Sequence, residues 1–411
     1  MTKRIARVGT FLLAVCAVSL LFVGPGVAAH RGTQATNLLI WVDSPQKPSI
    51  EKSAAAWGKA PVTVLVHSFG GIRDDLKTVK PENAPDIIIG PHDWVGDLAA
   101  NGLVVPLYPN AATKKQFPKY ALDAFSYGTA VKKLYGAPYA LENVGLVVNT
   151  QLVKVPTTFS QLESEALAFK KKKSGNIAIA VPQGSGGDPY HMYPFFSGLG
   201  GYVFGRNKAG LLDASDIGIA NKTFLKNSTL IDKWNKEGLI NSKVDYNTAK
   251  NAFLKKQAAF WITGPWESDT LKSSGIKFKI IQLPKIKFAA VPFLGVQGMM
   301  VTKYATDHGL DALAKDFVSS YMMKSSAQLD LANNNGRTPA NIVAQKGYKD
   351  PVQAQFGKAS VGGVPMPNIP QMGSVWTDFG QAWVKSTQGA GATKARIAFA
   401  TAAKNIANKI G

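Results

Sequence analysis

The 411-residue chain has one cysteine, Cys16, and only five histidines. One thiol excludes an internal disulfide framework and any zinc site built on several thiolates. None of His30, His67, His92, His191 and His308 has the His-Glu-x-x-His spacing that puts two imidazoles on one helical face, so no metal is expected. Neither Gly-x-x-x-x-Gly-Lys-Ser/Thr nor Gly-x-Gly-x-x-Gly after a strand occurs, so no nucleotide cofactor is expected. Acidic residues are scarce: 26 Asp and Glu stand against 47 Lys and Arg, for a net charge of +21. After residue 29 no apolar run is long enough to cross a bilayer. The 39 glycines and 23 prolines follow no period, which excludes collagen-like structure, and 45% hydrophobic residues exclude wholesale disorder.

What is present begins with an address. Lys3, Arg4 and Arg7 precede an apolar stretch at 8–23, Gly24-Pro25-Gly26 breaks it, and Val27-Ala28-Ala29 offers small residues for cleavage. That order is the order of a secretory signal, so residues 1–29 are read as signal or anchor and the mature chain as starting near His30, outside the cytoplasm. Leu13-Ala14-Val15-Cys16 approaches a lipoprotein box, with Val15 where a small residue belongs. A lipid or uncleaved anchor therefore stays open beside cleavage after Ala29. Loss of Lys3, Arg4 and Arg7 would take +21 to +18. Outside the cytoplasm a basic surface faces acidic lipids or wall polymers, and no nucleic-acid partner is expected.

The length suggests two lobes of roughly 150–200 residues each. Strand-like runs at 37–42, 62–66 and 86–89 alternate with helical stretches at 50–59, 72–79 and 93–101. Ile87-Ile88-Ile89 is the continuous apolar run of a strand buried on both faces. The pattern returns with strands at 177–181, 258–263, 278–283 and 298–301 and helices at 190–199, 311–323, 375–386 and 393–410. The expected class is α/β: two lobes, each a mostly parallel sheet flanked by helices, with a ligand cleft between them. Ligands favour such clefts, beyond the carboxyl ends of strands.

Signals for catalysis are partial. His67-Ser68-Phe69-Gly70-Gly71 follows a strand as a nucleophile elbow would, but Val66 stands where that strained turn needs glycine. Glu142 and Asp188 are conceivable as the acid pair of a glycosidase. A secreted glycosidase or esterase is thus the enzymatic alternative, and a surface protein whose basic face binds acidic polymers is another.

Acids and aromatics pair repeatedly at strand ends. The instances are Pro91-His92-Asp93-Trp94, Leu141-Glu142-Asn143, Asp188-Pro189-Tyr190, Thr263-Gly264-Pro265-Trp266, and Met366-Pro367-Asn368-Ile369-Pro370-Gln371-Met372 leading to Trp376. Indole and phenol rings can cover the apolar C–H face of a pyranose. Ionised carboxylates accept strong hydrogen bonds from its hydroxyls. Each instance alone has a plainer use: a tryptophan in a core, Asp93 as a helix cap, the prolines at 367–370 as a stiff connector. Their recurrence favours binding.

These stretches resemble the maltose/maltodextrin-binding proteins of bacterial ABC importers. The matching pieces are 37–43, 84–107, 135–149, 189–204, 258–266, 292–301 and 367–376, in the family's order. The resemblance implies a monomeric binding protein, not an enzyme, that closes two lobes on an oligosaccharide and presents it to a membrane permease. It implies one lobe from 30–140 plus 299–336, the other from 145–294 plus 340–411, and hinges near 140–145 and 294–298. It places Asp93, Glu142, Asp188, Tyr190, Trp266 and Trp376 at the sugar. Gly90 stands where an aromatic is found in the best-known members, Gly380 where an arginine is, and Pro45-Gln46 where an Asp-Lys pair is. Asp43 is the substitute for the acid and Trp94 for the ring, the latter in a setting similar to maltooligosaccharide- and cyclodextrin-binding members. A different oligosaccharide, acidic ones included, stays open.

Overall fold

The first three apolar runs become the parallel strands Leu38–Val42, Val62–Val66 and Ile87–Pro91. Leu38, Ile40, Ile87 and Ile88 are wholly buried, as continuous apolar strands covered on both faces must be. The structure is a computed structural model that describes residues 37–128 and 131–411; the expected signal segment, Cys16, and the cleavage site after Ala29 lie outside them. Across the sheet the order is Val62–Val66, Leu38–Val42, Ile87–Pro91, Phe293–Val301, Ala137–Glu142 and the short Thr338–Pro339. Phe293–Val301 runs antiparallel to both of its long neighbours.

The second sheet differs from the mostly parallel arrangement expected. Its central strand, Gly145–Asn149, pairs antiparallel with Phe260–Thr263 and with Phe278–Ile281. The stretch at 177–181 forms only single parallel bridges, Ile177 to Ala258 and Ala180 to Trp261. The reason is connectivity. The chain leaves the first sheet through Ala137–Glu142 and enters the second after only Asn143 and Val144, so Gly145–Asn149 runs outward and its neighbours return. The return sets Thr263 opposite Gly145 and so brings Trp266 back to the boundary between the sheets.

Burial divides the chain into two cores. One gathers Leu38 to Ala140 with Val296 to Ala340. The other gathers Val144 to Phe293 with Met366 to Ile406, beside a satellite cluster around Phe253, Trp261 and Phe356. Phe293–Val301 belongs to both: Phe293 packs in the second core, Val296 and Met299 in the first. Residues 294–298 therefore lie inside one continuous strand rather than in a loop. The C-terminal helices Trp376–Thr387 and Ala395–Ile410 return to the second core through Phe379, Trp383 and Phe399. The helix expected over 311–323 starts as Asp311–Lys315 and widens into a π-helical turn, Asp316–Tyr321. Among the described residues no helix is long and apolar enough to cross a membrane.

Candidate functional site

Two strand ends use the same device. After Ile87–Pro91 the chain turns through His92–Trp94, and the Trp94 ring folds back onto Gly90, where a Cβ would come within 2.1 Å of Cζ3. After Phe260–Thr263 the Trp266 ring folds back onto Gly264, where a Cβ would come within 2.2 Å of Cη2. Glycine at both positions lets an indole lie flat on backbone. The outcomes differ: Trp94 is buried in the first core, whereas Trp266 is partly open.

Asp93, the middle residue of the first turn, is almost wholly buried. Its Oδ2 accepts a hydrogen bond from Trp376 Nε1 at 3.0 Å, and its Oδ1 has no partner. Burial pushes its carboxyl up to about 6, against the opposing pull of the indole N–H and the Arg73 charge. His92 is also buried. Its Nδ1 accepts from the Val296 N–H at 3.1 Å, so its Nε2 carries the proton and donates to the Met366 carbonyl at 3.0 Å. Burial holds this imidazole down at about 4. One neutral ring thus ties the Ile87–Pro91 strand end to Phe293–Val301 and to the segment before Trp376.

Glu142 ends Ala137–Glu142. Its Oε1 accepts from Gln297 Nε2 at 2.7 Å and its Oε2 from the Arg337 Nε at 3.2 Å, with all three side chains buried. In the ladder Glu142 stands opposite Gly295 and Gln297 opposite Ala140, and the register slips just beyond, between Gln297 and Gly298. Arg337 also acts on Asp43, whose carboxyl burial pushes up and the guanidinium pulls down, and whose Oδ1 is buried without a partner. Gln46, half of the Pro45-Gln46 departure, accepts a short hydrogen bond from Tyr139.

Tyr190 sits against Phe293 (6.2 Å between ring centroids, 22° between planes) and tilts toward Trp266 at 6.1 Å. A Cβ on Gly295 would meet Glu142 Cγ at 2.9 Å and the Tyr190 hydroxyl at 3.1 Å, so these two side chains converge on that glycine. The hydroxyl is buried and unpartnered, and burial with nearby carboxylates holds its pKa far above the usual value. Trp376 meets Phe293 edge-on at 6.1 Å. Trp266 Nε1 donates to the Tyr246 hydroxyl at 2.8 Å, and that hydroxyl donates to Glu267, which pairs with Lys250 at 2.9 Å. The polar edge of Trp266 is thereby turned into the protein.

Asp188 is occupied otherwise. Its Oδ1 caps the helix Pro189–Gly198 by accepting from His191 N at 3.0 Å, and its Oδ2 accepts from His191 Nδ1 at 2.7 Å. The structure thus gathers Asp93, Glu142, Tyr190, Trp266 and Trp376 around Phe293 and Gly295, with Asp43 reached through Arg337. Sequence reasoning missed Arg337, Gln297, Phe293 and Tyr246. Arg337 left one signal: an arginine after Gly336, in a chain whose cations are mostly lysine.

Other features bear on rival chemistry. Ser68 starts a helix, and neighbouring His67 is stacked on Trp41 at 3.8 Å with its Nδ1 3.7 Å from Asp75. A cavity of about 1280 Å³ also crosses the lobe boundary, walled by His92, Tyr193, Tyr202, Phe288, Phe293 and Met366, but it contains none of the eight predicted residues. A smaller one of about 290 Å³ reaches Glu142 and Gly295.

The family description "bacterial extracellular solute-binding protein" matches residues 52–356. The chain belongs to that family. It is similar to the galactooligosaccharide-binding protein of Bacillus subtilis (strain 168), 27% identical over 91% of each chain. It is also similar to the maltooligosaccharide ABC transporter solute-binding lipoprotein of Streptococcus pneumoniae (strain ATCC BAA-255 / R6), 28% identical over 91% of this chain and 90% of that one. Among solved structures it matches the Thermus thermophilus maltotriose binding protein bound with maltotriose, with a TM-score of 0.80 and 28% identity, over 91% of this solute-binding protein and 100% of that chain. The α/β, two-lobed solute-binding fold expected from the sequence is the one observed.

Proposed function

We propose that this solute-binding protein captures a maltodextrin-type oligosaccharide outside the cytoplasm and delivers it, as a monomer, to an ABC permease. The observation that carries the reading is a set of buried, unpartnered oxygens amid aromatic rings. Asp43 Oδ1, Asp93 Oδ1, Gln297 Oε1 and the Tyr190 hydroxyl are all buried without a hydrogen-bond partner in the protein. Buried acceptors without partners are costly, and a polyhydroxylated ligand supplies the donors they lack. Trp266, Trp376 and Tyr190 supply faces for its C–H surfaces. In this reading Asp43, Asp93 and Glu142 receive hydroxyls, and Asp188 orients His191 and the Tyr190 helix. Trp94 supports the site from beneath rather than stacking on sugar.

The two cores are then the moving lobes, and the passages at Glu142–Gly145 and Leu294–Gly298 the hinges. The sugar shifts the lobes by binding the closed form more tightly than the open one. The solute-binding lipoprotein of Streptococcus pneumoniae supports retention at the cell surface, through Cys16 or an uncleaved leader. The names of the relatives point to neutral oligosaccharides. The site agrees, since Glu142, Asp188 and Asp93 all act on the Tyr190 hydroxyl, and of these Arg337 pairs with Glu142, so the carboxylates repel an acidic sugar. A second reading, a galactooligosaccharide, rests on the Bacillus subtilis relative.

A thermal-shift screen tests the reading with maltose, maltotriose, longer maltodextrins, cyclodextrins, galactooligosaccharides and acidic oligosaccharides. A ligand at about 100 times its dissociation constant adds roughly 2.7 kcal/mol of stability. A rise with maltodextrins is expected. A rise with galactooligosaccharides alone replaces the substrate, and steady release of reducing sugar replaces the binding role.

A further inference from the structure

Three parallel strands of the first lobe end on the cleft edge, and the site described above draws on only two. Leu38–Val42 leads to Asp43 and Ile87–Pro91 leads to Asp93. Val62–Val66 runs in register with Leu38–Val42, Val66 opposite Val42, and leads to His67-Ser68-Phe69-Gly70-Gly71. That turn has no role in the reading so far. His67 is spent on Trp41, and Ser68 only starts the helix Phe69–Asp75.

Phe69 is the odd residue. It is 45% exposed, yet its ring lies 5.4 Å from the Trp94 ring, tilted by 51°. An apolar ring leaning on a buried indole, with its outer face bare, is a half-made aromatic contact. Beside it, a Cβ on Gly70 would meet nothing within 4 Å, so the helix surface next to Phe69 is uncovered at that position. The helix also borders the site. Arg73 acts electrostatically on Asp93, and its guanidinium lies 3.6 Å from where a Cβ on Gly373 would be, in the turn Pro370–Ser374 that leads into Trp376.

We propose that Phe69 is an outer sugar platform of the same cleft, one that reads the length of the oligosaccharide. The inference rests on the sugar-binding reading above. Val62–Val66 is the strand of this sheet farthest from Phe293–Val301, around which Tyr190, Trp266 and Trp376 cluster. A short ligand seated on those rings ends before Phe69. A longer one lays its next pyranose on the exposed face, and Trp94 holds Phe69 at the required tilt. The ring that the resemblance expects at Gly90 is then supplied in two parts: Trp94 fills the space over the glycine, and Phe69 presents the face.

Calorimetric titration of the full chain and of its Phe69→Ala and Phe69→Leu variants with maltose, maltotriose, maltotetraose and maltohexaose tests this. Leucine keeps an apolar contact with Trp94 but removes the flat face, so it separates stacking from support. Both variants are expected to bind maltose within about twofold of the unsubstituted chain and the longest ligand about tenfold more weakly. An equal loss at every length, or no loss at the longest, overturns the platform. If the unsubstituted chain binds none of the series, the maltodextrin reading fails and the platform falls with it.

Discussion

Asp93 and His92 are neighbours with opposite titrations. Asp93 is held up at about 6, so between roughly pH 4 and 6 the folded protein keeps a proton that the unfolded chain has lost. Stability from this group is full below about pH 4 and declines as pH rises through 6. His92 is held down at about 4, so between about pH 6.5 and 4 the unfolded chain binds a proton that the fold refuses. Its contribution is full above about pH 6.5 and declines on acidification. The two slopes partly cancel in the native protein and separate in variants. Asp93→Asn is expected to raise the melting temperature relative to the native chain more at pH 7 than at pH 4, while weakening sugar binding. Melting curves at both pH values decide it, and a pH-independent difference refutes it. For the rings, Trp266→Ala and Trp376→Ala are each expected to cost about 1–3 kcal/mol of affinity. Calorimetry with maltotriose reads that loss, and unchanged affinity in both removes them from the site.

At the scale of elements, close backbone approach explains several glycines. A Cβ on Gly380 would come within 2.5 Å of the Gly186 carbonyl, because the helix Trp376–Thr387 lies against the loop at 184–187. Gly380→Ala is therefore expected to destabilise the protein by about 1–3 kcal/mol in urea denaturation, through overpacking. Restoring the arginine of the best-known members there should fail to improve binding, because the loop has taken its space. The same scale shows what a sequence discloses. Leu38–Val42 and Ile87–Pro91 were legible because strands buried on both faces are uninterruptedly apolar. Trp266 and Trp376 were legible because Gly-Pro-Trp and the proline-rich run are unusual combinations. The direction of Gly145–Asn149 was not legible, since it depends on which distant strand it meets. Neither was the partner of Glu142, because Arg337 follows 195 residues later and only the fold brings it within 3.2 Å. The capping of His191 by Asp188 is local, and the spacing of three residues could have disclosed it.

At the scale of the whole molecule, a basic protein carries an acidic cleft. The net charge is +21, yet Asp93, Glu142 and Asp188 gather about the Tyr190 hydroxyl, and Arg337 is held by Glu142 and Asp43. On the proposed function, the long-range field acts on the surroundings and the local field on the ligand. Salt separates them. Raising ionic strength from about 0.01 to 1 M shrinks the Debye length from about 30 to 3 Å and should strip the protein from anionic vesicles. Maltotriose affinity by calorimetry should change by less than about twofold over the same range, because a neutral ligand in a closed cleft has no counterions to release. A steep salt dependence of maltotriose binding would instead favour a charged ligand.

The strand Phe293–Val301 also bears on the order in which the chain can become a protein. The first sheet lacks its middle until residues 293–301 arrive to pair with Ile87–Pro91 and Ala137–Glu142. Contacts so distant along the chain are slow to form, because the long loop between them must close first. A nascent chain that has emerged as far as residue 290 still has no completed first lobe, however long it waits. The strand that joins the two lobes thus makes completion of the first lobe wait for most of the chain.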